Sequence, residues 1–129
     1  MKKTLLLLQT ILFTFTFFSC NSVPLIPENA SATQLIQSGQ DALDLANYKA
    51  SETYYLATIQ RYGMDTKTYI EARYELGRLY LKQEKWNKAY LQFTEILSIY
   101  ESLEYGTVPP AYQKLSKLSI EQIPEKYRK

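Results

Sequence analysis

The sequence predicts an all-α fold of two helical hairpins and a C-terminal capping helix, set behind an N-terminal export segment. Three observations support it. Apolar residues recur at helical spacing through residues 32–102. The chain matches itself when shifted by 38 residues: Gly39 meets Gly77, Tyr48 meets Trp86, Ser51 meets Ala89, Tyr55 meets Phe93 and Tyr62 meets Tyr100. Only 4 glycines punctuate 129 residues, so long helices run without breakers.

The first hairpin is expected over residues 32–65. Ser31 and Gln34 have the S-x-x-Q form of a capping box. Leu35, Ile36, Gly39, Ala42, Leu43 and Ala46 then share one face. Asn47 suits a turn, and a second helix through Ser51, Tyr55, Ile59 and Tyr62 stops at Gly63. The second hairpin is expected over residues 66–102, opening on a second capping box at Thr68 and Glu71. Its stripes are Tyr69, Ala72, Leu76, Leu79 and Tyr80, then Ala89, Phe93, Ile96, Leu97 and Tyr100. These stripes read as core, since each large apolar side chain contributes about 1.5–3 kcal/mol when buried. Gly77 and Ala89 let the two helices of the second hairpin approach closely.

A stack of helical hairpins needs about three units or a cap over its apolar end. Residues 103–129 supply the candidate. Pro109 and Pro110 suit a helix start, and Ala111, Tyr112, Leu115, Leu118 and Ser119 form the predicted packing face. The charged tail at 124–129 is expected to fray.

At the N-terminus, Lys2 and Lys3 precede an apolar stretch at residues 5–18. It is shorter than the roughly 20 residues that a membrane-spanning helix needs, and it has the length of a signal-peptide core. Ser19 then precedes Cys20, the only cysteine in the chain. The pattern resembles the lipobox of bacterial lipoproteins, in which a signal peptidase cuts before a cysteine that carries thioether-linked lipid. Ser19 and Cys20 match that pattern, while Phe17 and Phe18 depart from its strict form. The resemblance implies a signal peptide at 1–19 and Cys20 as the lipid-attachment site. It also implies a place on the cell membrane or outer membrane, facing the periplasm or exterior. The other readings are an uncleaved anchor or an ordinary signal with an incidental cysteine. Residues 20–31 hold two prolines and no clear period, and are expected to form a flexible tether that lifts the domain off the bilayer.

Charge and reactive chemistry narrow the function. The formal net charge is +2, and without Lys2 and Lys3 the count is 13 basic against 13 acidic residues. A neutral body lacks the field that attracts nucleic acid, so none is expected as partner. One cysteine and no histidine exclude an internal disulfide, a four-ligand Cys/His zinc site and every triad built on histidine. No cofactor, no metal and no enzymatic activity are expected.

Residues 76–93 carry a more specific signal. Leu76, Gly77 and Tyr80 on one helix, with Ala89 and Phe93 on the next, resemble the tetratricopeptide repeat. Gly39, Ala42, Ser51 and Tyr55 keep part of that pattern in the first unit. The longer spacing is similar to that of repeat lipoproteins of the BamD type, from the β-barrel assembly machine, and of cell-envelope accessory proteins. The resemblance implies a concave, partner-binding groove lined by the first helix of each repeat. Carried over position by position, that groove holds Ile36, Gln40 and Leu43 from the first unit, and Tyr74, Arg78 and Lys82 from the second. Arg78 would meet an acidic group and Tyr74 would offer flat apolar area; the alternative is a solvated face with Glu71 and Glu75 as helical neighbours. Ile36, Gln40, Glu75, Pro109 and Gln113 stand where a chaperone-tail carboxylate clamp would need Lys, Asn and Arg, so that partner class is not expected. The implied function is a lipid-anchored scaffold or assembly accessory for envelope or membrane proteins. The alternative is a ligand- or transporter-associated binding subunit using the same groove; self-association stays open.

Overall fold

The computed structural model describes residues 22–129. The predicted signal segment and Cys20 lie outside the described residues. Among the described residues five α-helices follow one another: α1 (Ala32–Asp44), α2 (Tyr48–Tyr62), α3 (Thr66–Lys82), α4 (Trp86–Ser102) and α5 (Ala111–Glu121), with a short 3-10 turn at Glu125–Tyr127. No strand occurs among the described residues, and no helix there is long and apolar enough to cross a membrane.

The starts of α1, α2 and α3 are written in side chains. Ser31 Oγ accepts from the Gln34 N–H at 3.3 Å while Gln34 Oε1 accepts from the Ser31 N–H at 2.8 Å, closing the capping box on α1. Asn47 caps α2 through the Ala50 N–H. Asp65 caps α3 through the Thr68 N–H at 2.8 Å, so the helix begins at Thr66 rather than at the predicted box around Thr68 and Glu71. Thr68, through its side chain first and its N–H second, holds the exposed Asp65 carboxyl below its usual range.

The stops of α1 and α3 are copies of each other. Ala46 and Glu84 both sit at φ 56, in the left-handed region. Ala46 N–H donates to Leu43 O and Asn47 N–H to Ala42 O; Glu84 and Lys85 repeat this with Leu81 O and Tyr80 O. This double bond pattern is the Schellman stop, which satisfies the last carbonyls of each helix. The spacing of 38 residues seen in the sequence is thus a repeat of backbone geometry.

Packing follows from the repeat. α1 pairs with α2 and α3 with α4, while α3 leans on α2 and α1, and α5 leans on α4 and α3 in the same way. Close approach inside each hairpin depends on a glycine. A Cβ on Gly39 would fall 2.4 Å from the Tyr55 ring, and one on Gly77 would fall 2.6 Å from Phe93. Between them lies a core of Leu43, Tyr55, Ile70, Leu76, Leu79, Ala89, Phe93 and Ile96. Arg73 donates across to the buried Gln92 Oε1 on α4 at 2.7 Å, and within α3 to the Tyr69 hydroxyl at 2.7 Å.

Three expectations are corrected. In α5 the inward residues are Tyr112, Ser116, Ser119 and Ile120, whereas Ala111, Leu115 and Leu118 face outward. Small serines let α5 lie close on α4, so its larger aliphatic residues are left outside. The tail is not frayed: Ile123 is fully buried, and Arg128 donates from Nε to Ile123 O and from Nη2 to Glu121 O. Nor does the whole of 20–31 form a free tether. Arg61 Nη1 donates to Pro27 O and the Tyr62 hydroxyl donates to Ala30 O, both at 2.6 Å, and Ala30 is buried.

Candidate partner-binding cleft

An open cleft of about 390 Å³ lies where the C-terminal ends of α1, α3 and α5 meet the start of α4. The antiparallel order of the helices brings these four ends to one side of the stack. α1 contributes Leu43 and Asp44, and α3 contributes Tyr74, Arg78, Leu81 and Lys82. Trp86 opens α4, and Ser119 with Gln122 closes the far wall from the end of α5. Residues 74, 78 and 82 lie one turn apart and form a single ridge along α3.

Four of the six groove residues inferred from the sequence therefore come together: Leu43, Tyr74, Arg78 and Lys82. The other two do not. Ile36 is buried, because its position on α1 faces the core, and the half-buried Gln40 does not line the cleft. Leu43 itself is 5% exposed, so it forms floor rather than contact surface.

Tyr74 also differs from expectation. Its ring lies 5.8 Å from Phe93 and 5.3 Å from Tyr112, both tilted, so it packs against the core instead of pointing away from it. The capping helix is the cause, because Tyr112 occupies the space above Tyr74. Burial, followed by the Glu71 and Glu75 carboxylates, pushes the Tyr112 phenol up to about 12.

Arg78 makes a 2.9 Å ion pair with Glu75, whose side chain is 7% exposed against 48% for the arginine. The guanidinium thus has two tasks: it neutralises a nearly buried carboxylate and still presents donors to the cleft. Lys82 is exposed and Asp44 faces it across the opening, which gives the rim charges of both signs. Hydrogen-bond donors, a rim of mixed charge and the indole of Trp86 suit a polar, extended ligand better than an apolar small molecule.

Sequence reasoning missed Asp44, Leu81, Trp86, Ser119 and Gln122. Trp86 carried a usable signal, since it opens its helix 38 residues after Tyr48, and aromatic residues are favoured anchors. Ser119 and Gln122 carried none, because only the docking of α5 brings them to the wall. Among the described residues no group of three or more metal-ligating side chains occurs.

An uncharacterised protein of Treponema pallidum (strain Nichols) is 28% identical over 116 residues, which cover 88% of this chain and 46% of that protein. The chain thus spans about half the length of that relative. No family model matches the sequence, and no solved structure matches the chain.

Proposed function

We propose that this protein is a lipid-anchored helical-repeat module of the bacterial cell envelope that binds a protein partner in the cleft between α3 and α5. One observation carries the choice of partner class: the cleft is open and charged at its rim, with Arg78, Lys82 and Asp44 around Trp86. A closed apolar pocket would have favoured a small ligand. On this reading the likeness to tetratricopeptide repeats, and to lipoproteins built from them, describes the scaffold, and Cys20 provides the membrane attachment. The chain works by binding, as a scaffold or assembly accessory, and not by catalysis.

The test uses a photo-crosslinking residue placed at Lys82 or Gln122 inside the cleft, or at Leu91, which is 63% exposed on α4 outside it. Cells carrying the full chain are irradiated and membrane extracts are resolved by mass. A discrete protein adduct from positions 82 and 122 but not from 91 is the expected outcome. Equal adduct patterns at all three positions, or none in the cleft, would remove the cleft as the binding site.

A further inference from the structure

The segment expected to be a spacer is folded onto the domain from Ser22 onward. At one end, Tyr62 and Arg61 hold the carbonyls of Ala30 and Pro27 beside the end of α2. From there the chain runs back along α1 and α2 in extended form. Pro24 and Ile26 are half-buried towards the helices, whereas Val23 is 50% and Leu25 97% exposed on the other side. By Ser22 and Pro24 the chain has reached the opposite end of the hairpin, sharing a cleft with Leu45, Asn47 and Ala50 at the α1–α2 turn. Leu45 there is 80% exposed. Since α2 has 15 residues, the two ends lie about 22 Å apart.

Cys20 stands two residues before Ser22, so its Cα lies at most about 7.6 Å from that of Ser22. Had residues 20–31 all been free, the reach would have been about 40 Å. The difference decides the geometry. We propose that the α1–α2 turn, with Val23 and Leu45, rests on the lipid bilayer as a fixed contact face. This proposal rests on the reading of Cys20 as a lipid-attachment site. The recognised chemistry is the apolar part of the lipid interface rather than anionic headgroups, because the charged residue lining the cleft beside Leu45 is Asp41, a carboxylate that anionic headgroups would repel. Exposed apolar residues next to an anchored one bury little area each, but the anchor removes most of the entropic cost of holding them there. The partner-binding cleft opens at the same end of the stack, since it is built on Asp44, Lys82 and Trp86.

The full chain is purified with Val23→Cys, Leu45→Cys, Met64→Cys or Tyr105→Cys as reporter. Met64 and Tyr105 are 98% and 107% exposed in connections at the opposite end of the stack. Acylation would consume the native thiol, so the reporter would be the only one free to take a fluorophore. Each labelled protein is reconstituted into phosphatidylethanolamine/phosphatidylglycerol vesicles containing nitroxide lipid, and the acyl mass at Cys20 is recorded in the same sample. Quenching several-fold stronger at 23 and 45 than at 64 and 105 is expected. Equal quenching at all four positions on an acylated chain would overturn the contact face and leave the lipid anchor standing. A chain with no acyl mass would overturn the anchor and the contact face with it.

Discussion

The two hairpins share a backbone and differ in what fills it. In both, a glycine on the first helix faces an aromatic ring on the second, Gly39 on Tyr55 and Gly77 on Phe93. In both, the first helix ends on a non-glycine residue at φ 56. The fillings diverge. The second hairpin buries Ala89 and Phe93, which have no polar atoms to satisfy. The first buries Ser51 and Tyr55 at 0% exposure, and their hydroxyls have no hydrogen-bond partner beyond a weak approach to each other. Burial and the Glu75 carboxylate push the Tyr55 phenol above its usual range. What recurs is therefore what the hairpin geometry demands, and what varies is what the core tolerates at a cost.

The strongest way to break the comparison is to fill the glycines. Gly39→Leu and Gly77→Leu should each cost about 3 kcal/mol, the upper part of the usual overpacking range, because the facing ring is fully buried and cannot swing away. Urea unfolding of the purified protein, followed by helical circular dichroism, measures both. Similar losses are expected, since the clearances of 2.4 and 2.6 Å are alike. A loss at one site and tolerance at the other would show that the hairpins do not share this contact.

A reciprocal exchange tests the fillings. Tyr55→Phe removes an unpaired buried hydroxyl and should raise stability by about 1 kcal/mol, whereas Phe93→Tyr adds one and should lower it by about 1–3 kcal/mol. The opposite signs are the diagnostic, read from the same urea midpoints. If Tyr55→Phe destabilises instead, a bound water bridges the Tyr55 hydroxyl and the first core is satisfied after all.

The same division decides what the sequence made legible. Local and repeated signals were readable: the Ser31–Gln34 box, the Gly39/Gly77 and Tyr55/Phe93 pairs, and the ridge of Tyr74, Arg78 and Lys82 along one helix face. Signals set by a distant partner were not. The outward Leu115 and Leu118 look like a core stripe until Ser116 and Ser119 are seen docked on α4. Tyr74 reads as a free surface aromatic until Tyr112 covers it. Pro24, Ile26 and Ala30 read as tether, because their docking depends on hydrogen bonds from Arg61 and Tyr62, more than thirty positions along the chain. The start of α3 was missed for a smaller reason: Asp65 and Thr68 both offer capping chemistry, and periodicity alone does not choose between them.

The gentlest test addresses the shared stops. Ala46 and Glu84 hold the left-handed position of matching Schellman turns, where a Cβ crowds the following carbonyl and glycine is the usual occupant. Relief of that crowding is worth roughly 1–2 kcal/mol. Glycine also loosens the unfolded chain, which returns about 0.4–1 kcal/mol. Ala46→Gly and Glu84→Gly should therefore each stabilise by several tenths of a kcal/mol to about 1 kcal/mol. Because the two turns make the same pair of backbone bonds, the gains should match and should add in the double variant, the sites being on separate helices. Ala46→Val provides the opposing arm: a β-branched residue fits this φ worst and should destabilise. Thermal unfolding read by circular dichroism resolves shifts of this size for a chain of this length. A gain at Glu84 without one at Ala46 would mean that the first turn does not hold its left-handed residue in solution, and the equivalence of the two hairpins would end at their glycines.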